Sequence, residues 1–546
     1  MKELIELIFK DKLMTVEEVF KKYPPRNLKD GQRITRIAPS PTGFVHIGTI
    51  YMALVSERIA HQSGGKFFVR IEDTDGKREV EGAADLLAQS FKKYGIIADE
   101  GMVDADKFVG DYGPYKQSER ENIYKVFIKH LMEQGLAYPC FCSEEELEEI
   151  VQQQKAQNCP RLGYYGGWAK YRNLPLEEAK RRIKNGDEYV IRFKSFGNFN
   201  KKIVVNDVIK GNLEFPENDL DVVIMKKNGL PTYHFAHAVD DFLMGTNLVT
   251  RGDEWLPSLP LHIQLFQALK FKAPKYAHVS PIMKIDGNGK RKLSKRKDKE
   301  SNIIYFDELG YPKEAVIEYL LNLANSSFED WRKQNPKEDY KNFKFDIKKM
   351  NTSGALFDFA KLDNVSKDVI GRMTATEIYD LVLEWSGKYN IEMYELIKNN
   401  KDYTIKIFNI ERENAKKPRK DITRWCNVYD EIKYFFETPN KQTVKSELNR
   451  FNGDDVLKIV DLFANFYDEN DDNQVWFDKV KKVAKQCNYC DNIKEYKENP
   501  TQFNGSVADV ATILRILTTG RSQSPDLCSI MKILGKKEVL NRLKLN

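Results

Sequence analysis

Apolar and polar positions near the start of the chain alternate in a way that predicts a strand, a helix and a second strand. Residues 34–37 and 66–71 are β-rich runs, and residues 45–62 between them have helical periodicity. Gly64 and Gly65 follow that helical stretch and are typical of a helix end. This order forms a βαβ unit, so we expect a parallel sheet whose ligands lie at the carboxyl ends of its strands.

The pattern is mixed over residues 111–217, where helical stretches alternate with irregular sequence. Strand patterns return at residues 221–225 and 248–251, and Asn228-Gly229 between them is a turn that suits a hairpin. We therefore interpret residues 111–217 as an insertion within a split α/β domain.

After about residue 327, charged segments with helical periodicity replace the mixed strands. Apolar side chains recur on one helical face over residues 376–385 and again over 455–467. Gly387 is expected to end the first of these helices, and the acidic residues 468–472 are expected to form a loop. The pattern predicts that the C-terminal region is all-helical.

These patterns predict that the chain has four parts. Two short helices are expected before residue 33, the first over residues 2–9 and the second starting near residue 15. The parts are a helical extension (residues 1–32), a split α/β domain (residues 33–110 and 218–327), the insertion within that domain (residues 111–217) and a helical region (residues 328–546).

The composition is that of a folded globular protein with material for more than one core. The chain has 546 residues, of which 41% are apolar and 31% charged. No run approaches the roughly 18 to 20 apolar residues of a membrane span, and the first residues lack a cleavable signal pattern, so we expect a cytoplasmic protein without membrane contact. The formal net charge of +6 is compatible with an anionic partner.

The first segment with candidate chemistry comprises residues 36–49, directly after the first strand. Its two prolines predict an extended turn, Gly43 relieves that turn, and a helix is expected to begin near His46. Backbone N–H groups and the dipole at a helix start favour a phosphate, so this segment predicts a nucleotide site. An ordinary turn with a surface histidine is the alternative interpretation.

The second segment comprises residues 286–298, where Gly287 and Gly289 precede a run of lysine and arginine. The glycines make the entry to the segment pliable. Like charges in such a run repel one another unless a polyphosphate or RNA neutralises them, so the segment predicts contact with one of these. A solvated basic patch is the alternative.

Together the two segments resemble the two signatures of class I aminoacyl-tRNA synthetases, the His-Ile-Gly-His type and the Lys-Met-Ser-Lys-Ser type. The chain is most similar to the bacterial-type glutamyl-tRNA synthetases. The similarity runs from about residue 33 to the C-terminus. Further matching blocks, in order, are Arg70-Ile71-Glu72-Asp73-Thr74-Asp75, Gly113-Pro114-Tyr115-Lys116-Gln117-Ser118-Glu119-Arg120, Pro231-Thr232-Tyr233-His234-Phe235-Ala236, Val239-Asp240-Asp241, Arg251-Gly252-Asp253-Glu254-Trp255-Leu256, Thr519-Gly520-Arg521 and Ser524-Pro525-Asp526-Leu527.

The resemblance implies a Rossmann-type catalytic domain at residues 33–110 and 218–327, an acceptor-stem-binding subdomain at 111–217, and an all-helical anticodon-binding region. It implies a monomeric ligase that uses ATP with Mg²⁺ to convert L-glutamate to glutamyl-adenylate, and then transfers glutamate to the 3′ end of tRNA(Glu). Displacement at phosphorus needs positioning and charge neutralisation rather than an enzyme nucleophile.

By the same resemblance, six residues are expected to bind ATP. They are His46, Gly48, Thr49, Lys292, Ser294 and Lys295. His46, Lys292 and Lys295 are the expected catalytic residues. Lys295, supported by Lys292, is expected to stabilise the charge that grows on the leaving pyrophosphate.

A glutamate pocket needs cations for two carboxylates and an anion for one ammonium group. The residues that the resemblance assigns to this pocket are Arg36, Ala38, Ser40, Glu72, Tyr233, His237 and Arg251. Arg36 and Arg251 are the candidate cations, because a guanidinium can hold a carboxylate with two hydrogen bonds. Glu72 and Ser40 are expected at the ammonium group, and Tyr233 at a carboxylate.

Two of these positions depart from the family pattern. Thr49 stands where the general class signature has its second histidine. His237 stands where many relatives carry asparagine, and its charge is expected to make substrate binding sensitive to pH.

The seven cysteines are sparse and odd in number, which argues against a disulfide framework. Cys140 and Cys142 look like the first half of a zinc site found in some family members, and Cys159 could supply a third thiolate. No fourth cysteine or histidine lies nearby in sequence, so we expect no metal. Cys487 and Cys490 are interpreted as a chance spacing of one helical turn.

Three alternatives stay open at this point. One is a non-discriminating enzyme that also charges tRNA(Gln), another is a tRNA-binding paralogue without catalysis, and the third is a relative that modifies a tRNA base. Glutaminyl-tRNA synthetases resemble the chain in its catalytic half but have β-barrel anticodon domains. The helical periodicity at residues 376–385 and 455–467 therefore favours the glutamyl branch.

Overall fold

The computed structural model describes residues 1–41, 43–75, 80–413 and 415–544, so Thr42 of the first candidate segment lies outside the described residues. The chain forms two compact units. The first unit comprises Met1–Tyr305 and Ile317–Asp358, and the second comprises Phe306–Val316 and Phe359–Asn546. Among the helices of the described residues, none is long and apolar enough to cross a membrane.

All strands of the described residues belong to the first unit. In chain order they are β1 (Ile34–Ile37), β2 (Lys66–Val69), β3 (Glu100–Asp104), β4 (Lys107–Val109), β5 (Ala137–Cys140), β6 (Val190–Phe193), β7 (Lys202–Asp207), β8 (Gly211–Pro216), β9 (Val223–Met225), β10 (Leu248–Gly252), β11 (Lys275–Val279), β12 (Met283–Asp286) and β13 (Gly289–Lys292).

Helices occur in both units. In chain order they are α1 (Lys2–Ile8), α2 (Val16–Lys22), α3 (Ile47–Gln62), α4 (Ala83–Lys93), α5 (Glu121–Glu133), α6 (Glu144–Ala156), α7 (Leu176–Lys184), α8 (Tyr233–Leu243), α9 (Leu259–Ala268), α10 (Ile303–Glu308), α11 (Lys313–Ala324), α12 (Ser327–Gln334), α13 (Phe359–Arg372), α14 (Ala375–Tyr389), α15 (Ile391–Asn399), α16 (Lys401–Asn409), α17 (Val428–Ile432), α18 (Lys441–Leu448), α19 (Gly453–Phe466), α20 (Asn473–Gln486), α21 (Ile493–Glu498), α22 (Val507–Thr519), α23 (Leu527–Leu534) and α24 (Lys536–Leu543).

The predicted βαβ unit is present. β1 and β2 are parallel neighbours, with Ile34 opposite Lys66 and Ile37 opposite Val69, and α3 connects them. β3 continues the sheet in parallel, and β4 ends it in the antiparallel direction. The carboxyl ends of β1 and β2 therefore lie at the same edge, as the sequence pattern indicated.

A second sheet joins the segment 111–217 to the sequence that follows it. Its strand order is β10, β11, β7 and β8, with β10 parallel to β11 and with β7 and β8 forming an antiparallel hairpin. β7 pairs in parallel with β11 at Asp207 and Tyr276. The end of the segment 111–217 is thus hydrogen-bonded into the same sheet as β10 and β11, rather than standing apart from it.

The third sheet is antiparallel and has the order β5, β6 and β9. The turn at Asn228-Gly229 follows β9, and the Lys226 N–H donates to the Leu230 carbonyl at 2.8 Å. Beyond this turn a single bridge joins Met225 to Pro231, and the chain then enters α8. The predicted turn is present, but a helix follows it instead of a full hairpin strand.

The N-terminal extension belongs to a hydrophobic core of the first unit. Leu4 and Ile5 of α1 and Val19 of α2 are buried in one cluster with Phe127 of α5 and Phe235 of α8. The N-cap Thr15 starts α2 with a capping box, in which its side chain accepts the Glu18 N–H. Since α8 also contributes to the cavity described below, the extension supports an element of that site.

Arg26 fixes the end of this extension to the first sheet. Its guanidinium donates two hydrogen bonds to the Glu100 carboxylate, at 2.9 and 2.6 Å, and one to the Met244 carbonyl at 2.7 Å. The guanidinium also lies 3.9 Å from the centre of the Tyr112 ring. Burial alone would raise the pKa of Glu100, but hydrogen bonds from Arg26 and Lys66 lower it to about 2.

The described residues of the second unit contain helices and no strand, which confirms the predicted helical C-terminal region. Ile378 and Val382 of α14 are buried in one cluster, and Ile459 and Phe463 of α19 are buried in another. The prediction that Gly387 ends its helix is wrong. α14 continues to Tyr389, because packing on the buried face outweighs the weak helix propensity of one glycine.

We predict that Arg26→Ala destabilises the first unit. The substitution leaves the Glu100 carboxylate, whose side chain is 3% exposed, with only the half-exposed Lys66 as a cation. We expect a loss of about 3 kcal/mol in the free energy of unfolding at pH 7, measured by urea denaturation.

The effect of Arg26→Ala on stability should depend on pH, and a second variant serves as its control. Because the pKa of Glu100 is lower in the folded state, the stabilisation is complete above the unfolded pKa of about 4.5 and is lost as pH falls towards 2. The difference between wild type and Arg26→Ala should therefore shrink below pH 4.5. Lys21→Ala, at an exposed position of α2, should change little at any pH. An equal loss in both variants would contradict the role of Arg26.

Candidate active site

A cavity of about 490 Å³ in the first unit is bordered by the carboxyl ends of three strands. Ala38 follows β1, Glu72 comes shortly after β2, and Arg251 lies near the end of β10. The start of α3 forms another wall, and Lys292 at the end of the β12–β13 hairpin contributes a further one. This is the edge at which parallel strands usually bind ligands.

The cavity brings together most of the residues that the sequence predicted. Those on its wall are Arg36, Ala38, Ser40, His46, Gly48, Thr49, Glu72, Tyr233, Arg251, Lys292 and Lys295. Two predicted residues, Ser294 and His237, are not on the wall. The candidate nucleotide and amino-acid residues thus face one continuous space.

His237 is fully buried behind the cavity wall, which corrects its expected place in the pocket. Its ring stacks on Tyr233 at 6.1 Å between centroids, its Nδ1 lies 2.7 Å from the Asp241 carboxylate, and its Nε2 lies 3.0 Å from the Tyr276 hydroxyl. Burial lowers the pKa of His237 to about 4 despite the nearby Asp241. The histidine is therefore neutral near pH 7, contrary to the expected pH-sensitive charge.

The hydrogen bonds of Ser294 are made within its own loop. Its N–H donates to the Asp298 carboxylate at 2.8 Å, and its hydroxyl accepts the Arg296 N–H at 3.3 Å. The arrangement orders the loop that follows β13. Ser294 can therefore shape the path of Lys295, but it does not border the cavity.

Arg291 of the basic segment is neutralised by carboxylates of the chain itself. Arg291 donates to Asp286 at 2.6 Å and to both oxygens of Asp298, at 2.5 and 2.8 Å. Hydrogen bonds from Arg291 hold the pKa of Asp298 well below its usual range. The expectation that these charges need a polyphosphate or RNA is therefore wrong for Arg291, and it stays a prediction for the lysines that border the cavity.

Lys292 and Lys295 are the basic residues of this segment that border the cavity. The Lys292 Nζ lies 3.0 Å from the Glu254 carboxylate, and both side chains are about half exposed, so this pair is readily exchanged. The Lys295 Nζ donates to the Phe44 carbonyl at 3.2 Å, and burial lowers the pKa of this lysine. Both ammonium groups can approach an anion at the start of α3.

His46 is the N-cap of α3, which starts at Ile47, so the predicted helix start near His46 is confirmed. Its Nδ1 accepts the Gly48 N–H at 2.9 Å. Burial, together with the charges of Lys295 and Lys292, lowers the pKa of His46 to about 4, so the ring is neutral near pH 7. An Nδ1 that accepts requires the proton on Nε2, which leaves His46 as a hydrogen-bond donor rather than a cation.

Arg36 and Arg251, the two candidate cations, have different surroundings. The Arg36 Nε donates to the Asp241 carboxylate at 3.1 Å, so its charge is already paired. The Arg251 guanidinium donates to His278 and His262, each at 2.9 Å. In the ranges that the structure describes, no ion pair involves Arg251, and its charge is available to an incoming carboxylate.

Glu72 is the buried anion of the cavity, with a side chain that is 10% exposed. Its nearest cation is Arg70 at 3.3 Å, and Arg70 is shared with Asp240 and Asp241. Burial raises the pKa of Glu72 to about 7, against the opposing charges of Arg70 and Arg36. An added ammonium group would favour the carboxylate form, so this position suits a cationic substrate group.

Tyr233 and Trp255 form an aromatic wall, with ring centroids 4.1 Å apart. The sequence named the blocks that contain Trp255 and Asp241 without assigning either residue a role. The spacing of His237 and Asp241, four residues apart on α8, is the signal that could have shown that they share a helical face. The contacts of His262 and His278 with Arg251 had no such local signal.

The cysteines make separate structural contacts. Cys140 Sγ lies 3.3 Å from the Arg192 Nε and 3.4 Å from the Tyr164 hydroxyl oxygen. Among the described residues, the one group with ligand spacing for a metal is Cys490, Asp491 and Glu495, away from Cys140 and Cys142. Cys487 caps the end of α20 and Cys490 lies beyond it, so the interpretation of one helical turn for this pair is wrong.

Comparison with known proteins gives two family matches. Residues 33–364 match the model described as "tRNA synthetases class I (E and Q), catalytic domain", and residues 377–545 match "Anticodon binding domain". A glutamate--tRNA ligase of Clostridium perfringens (strain SM101 / Type A) is 49% identical over 547 residues, which cover 99% of this chain and 98% of the relative. One of Sorangium cellulosum is 40% identical over 96% of this chain and 97% of the relative.

A solved structure is also similar over nearly the whole chain. It is a glutamate tRNA ligase from Elizabethkingia meningosepticum in complex with its amino acid. It is 27% identical, with a TM-score of 0.72, and the match covers 94% of this chain and 98% of the other. The predicted α/β part followed by a helical part is confirmed by these matches.

We predict that Glu72→Gln stabilises the protein at pH 8 but not at pH 4. The folded pKa of about 7 lies above the unfolded value of about 4.5, so ionisation of Glu72 costs stability as pH rises from 4.5 through 7. Glutamine has nearly the same shape and does not titrate. The thermal midpoint of the variant should exceed that of wild type by roughly a few degrees at pH 8, and equal it at about pH 4.

Asp73→Asn is a neighbouring control, because Asp73 makes hydrogen bonds to Ser118 in an exposed setting. This control should show no gain that grows with pH. A Glu72→Gln variant that is less stable than wild type at pH 8 would show that the carboxylate is ionised and well paired in the folded protein.

Proposed function

The chain belongs to the class I tRNA synthetases of the glutamate and glutamine type, and we propose that it ligates glutamate to tRNA with ATP at the cavity described above. The observation that supports this site is the placement of Arg251, a guanidinium without an ion pair among the described residues, and of one buried carboxyl group, Glu72, in the same space as Lys295 and His46. Those four groups match a substrate with carboxylates, an ammonium group and a polyphosphate partner.

The glutamate would bind by charge complementarity. Arg251 offers guanidinium N–H groups to one carboxylate, and Arg36 lies on the same wall with its charge shared with Asp241. Glu72 and the Ser40 hydroxyl receive the ammonium group, while Tyr233 can donate to a carboxylate and Ala38 leaves room beside it. His237 acts from behind, because it contacts Asp241, which in turn holds Arg36.

ATP would lie along the start of α3 and the β12–β13 hairpin. Thr49 and Gly48 are in the first turn of α3, where the helix start favours phosphate. The neutral His46 donates a hydrogen bond, and Lys292 and Lys295 bring positive charge. Lys292 would exchange Glu254 for a phosphate oxygen. Ser294 contributes through the loop that directs Lys295, rather than by contact with ATP.

The reaction needs no nucleophile from the protein. A carboxylate oxygen of glutamate attacks the α-phosphorus of ATP, the bond to the β-phosphate oxygen breaks, and pyrophosphate leaves. A hydroxyl at the 3′ end of tRNA then attacks the activated carbonyl, and AMP leaves. Lys295 stabilises the charge on the leaving pyrophosphate, because its ammonium group is held at the cavity wall before the charge develops.

We propose that Mg²⁺ enters with ATP. Glu254 is a half-exposed carboxylate on the cavity wall, and oxygen ligands of this kind suit a hard cation. Mg²⁺ would supply charge neutralisation on the phosphates. When Lys292 moves to a phosphate, Glu254 loses its pairing cation and becomes free to contact the ion or its water molecules.

The proposed RNA partner is tRNA(Glu), bound by a cytoplasmic monomer. The segment 111–217 would hold the acceptor stem, and the helical region 328–546 the anticodon arm, as the match of residues 377–545 supports. Aminoacylation of purified tRNA(Gln) as well as tRNA(Glu) would identify a non-discriminating enzyme. Size-exclusion chromatography with light scattering tests the monomer.

We predict that Lys295→Ala lowers the rate of ATP–pyrophosphate exchange by about a hundredfold, with glutamate and tRNA(Glu) present. The reason is the loss of the ammonium group that stabilises the leaving pyrophosphate. Lys297→Ala removes the same charge from an exposed position of the same loop, outside the cavity wall, and should stay near wild type. No exchange by the folded wild-type protein would rule out the proposed function, and equal rates for both variants would rule out the role of Lys295.

A further inference from the structure

Arg251 is a buried guanidinium on the cavity wall that is held by two imidazoles instead of a carboxylate. Its side chain donates from Nε to the His278 Nε2 at 2.9 Å and from Nη1 to the His262 Nδ1 at 2.9 Å. Its Nη2 donates to the Trp255 carbonyl at 3.4 Å. Both histidines are fully buried, and neither borders the cavity.

The direction of these hydrogen bonds determines where each histidine carries its proton. A guanidinium has donors and no acceptor, so the histidine nitrogens that face Arg251 must be unprotonated and accept through their lone pairs. The other nitrogen of His278 then donates to the Asp207 carboxylate at 2.7 Å, and that of His262 donates to the His234 Nδ1 at 2.9 Å. Each imidazole is therefore neutral in this arrangement.

The surroundings of both rings keep them neutral. His262 is faced by Tyr233, His234, His237 and Asp241 of α8 and by Arg251 of β10. His278 is faced by Asp207 of β7, Arg251, Tyr276 and Asp253. Burial lowers the pKa of both histidines, and the charge of Arg251 adds to that effect. Protonation of either ring would direct an N–H at Arg251 and repel it.

The contrast with Arg36, Arg70 and Arg120, three other buried arginines, explains what such neutral partners achieve. Arg36 and Arg70 are ion-paired with Asp241, and Arg120 is ion-paired with Asp240. Those carboxylates fix the guanidinium groups but also neutralise them. An imidazole lone pair fixes a guanidinium just as directionally, yet it leaves the positive charge in place.

We propose that His262 and His278 are positioning residues that hold Arg251 through their lone pairs and reserve its charge for a carboxylate of the substrate. The inference rests on the proposed function, and it adds a physical basis for the selection of glutamate over its amide, glutamine. A glutamate carboxylate pairs with the unneutralised guanidinium. The amide of glutamine carries no charge, so it would leave Arg251 buried without a counter-ion.

Three substitutions of His262 separate geometry from charge. His262→Gln keeps a neutral acceptor, His262→Phe keeps a ring but removes the acceptor, and His262→Glu keeps an acceptor but adds the charge that would neutralise Arg251. Aminoacylation of tRNA(Glu) gives kcat and the KM values for glutamate and ATP for each variant. His130→Phe is the matched control, because His130 lies on α5 outside the cavity wall.

We expect His262→Phe to raise the KM for glutamate by about tenfold or more, while the KM for ATP and kcat change little. His262→Gln should restore the KM to within a few-fold of wild type. His262→Glu should raise the KM for glutamate although its acceptor is present, and should weaken the preference for glutamate over glutamine as a competitor. The control should match wild type.

Two results would overturn the inference. One is an equal KM for glutamate in the Phe and Gln variants, and the other is wild-type glutamate binding by His262→Glu. If His262→Phe does not fold, as judged by its thermal midpoint, the comparison of the Gln and Glu variants decides alone. A wild-type protein that does not charge tRNA would contradict the proposed function itself. A wild-type protein that charges tRNA, together with variants that show no difference in KM, would contradict only the inference about the histidines.

Discussion

The carboxylate of Asp241 is the shared partner of the buried charged side chains next to the cavity. It accepts hydrogen bonds from Arg36 at the end of β1 and from Arg70 after β2, and it lies 2.7 Å from the ring of His237. All of these side chains are buried, so their charges must compensate one another inside the protein. Because Asp241 lies on α8, Arg36 lies in β1 and Arg70 directly follows β2, these ion pairs connect the helix to the edge of the parallel sheet.

Charge compensation also separates structural cations from those that can act on substrates. Arg70, Arg120 and Arg291 are paired with carboxylates of the chain, and these interactions hold the strands, α8 and the hairpin loop in place. Arg251 has only neutral partners among the described residues, and Lys295 donates to a carbonyl. The anionic side of the cavity includes Glu72, whose pKa burial raises to about 7 although Arg70 lies 3.3 Å away and is shared with Asp240 and Asp241. Glutamate with ATP would supply a further cation and the anions.

Local patterns in the sequence predicted much of the architecture. The βαβ unit and the helical faces at Ile378 and Ile459 were predictable because side-chain periodicity depends on neighbours a few residues apart. Eight of the eleven predicted wall residues lie in the two signature segments. The sequence could not show which cations are already paired, since Arg36 and Asp241 are 205 positions apart. The family resemblance assigned His237 to the cavity wall, whereas the structure places it behind that wall, with its Nε2 3.0 Å from the Tyr276 hydroxyl.

We propose that the cavity binds glutamate with its ammonium group at Glu72 and a carboxylate at Arg251. Calorimetric titration of the protein with glutamate at pH 7, in two buffers of different ionisation enthalpy, tests this placement most directly. A carboxyl group with a pKa of about 7 is half protonated before glutamate binds and becomes ionised beside an ammonium group. Binding should therefore release about half a proton from wild type and none from Glu72→Gln. Binding of glutamate with no proton release, or with proton uptake, would contradict this placement.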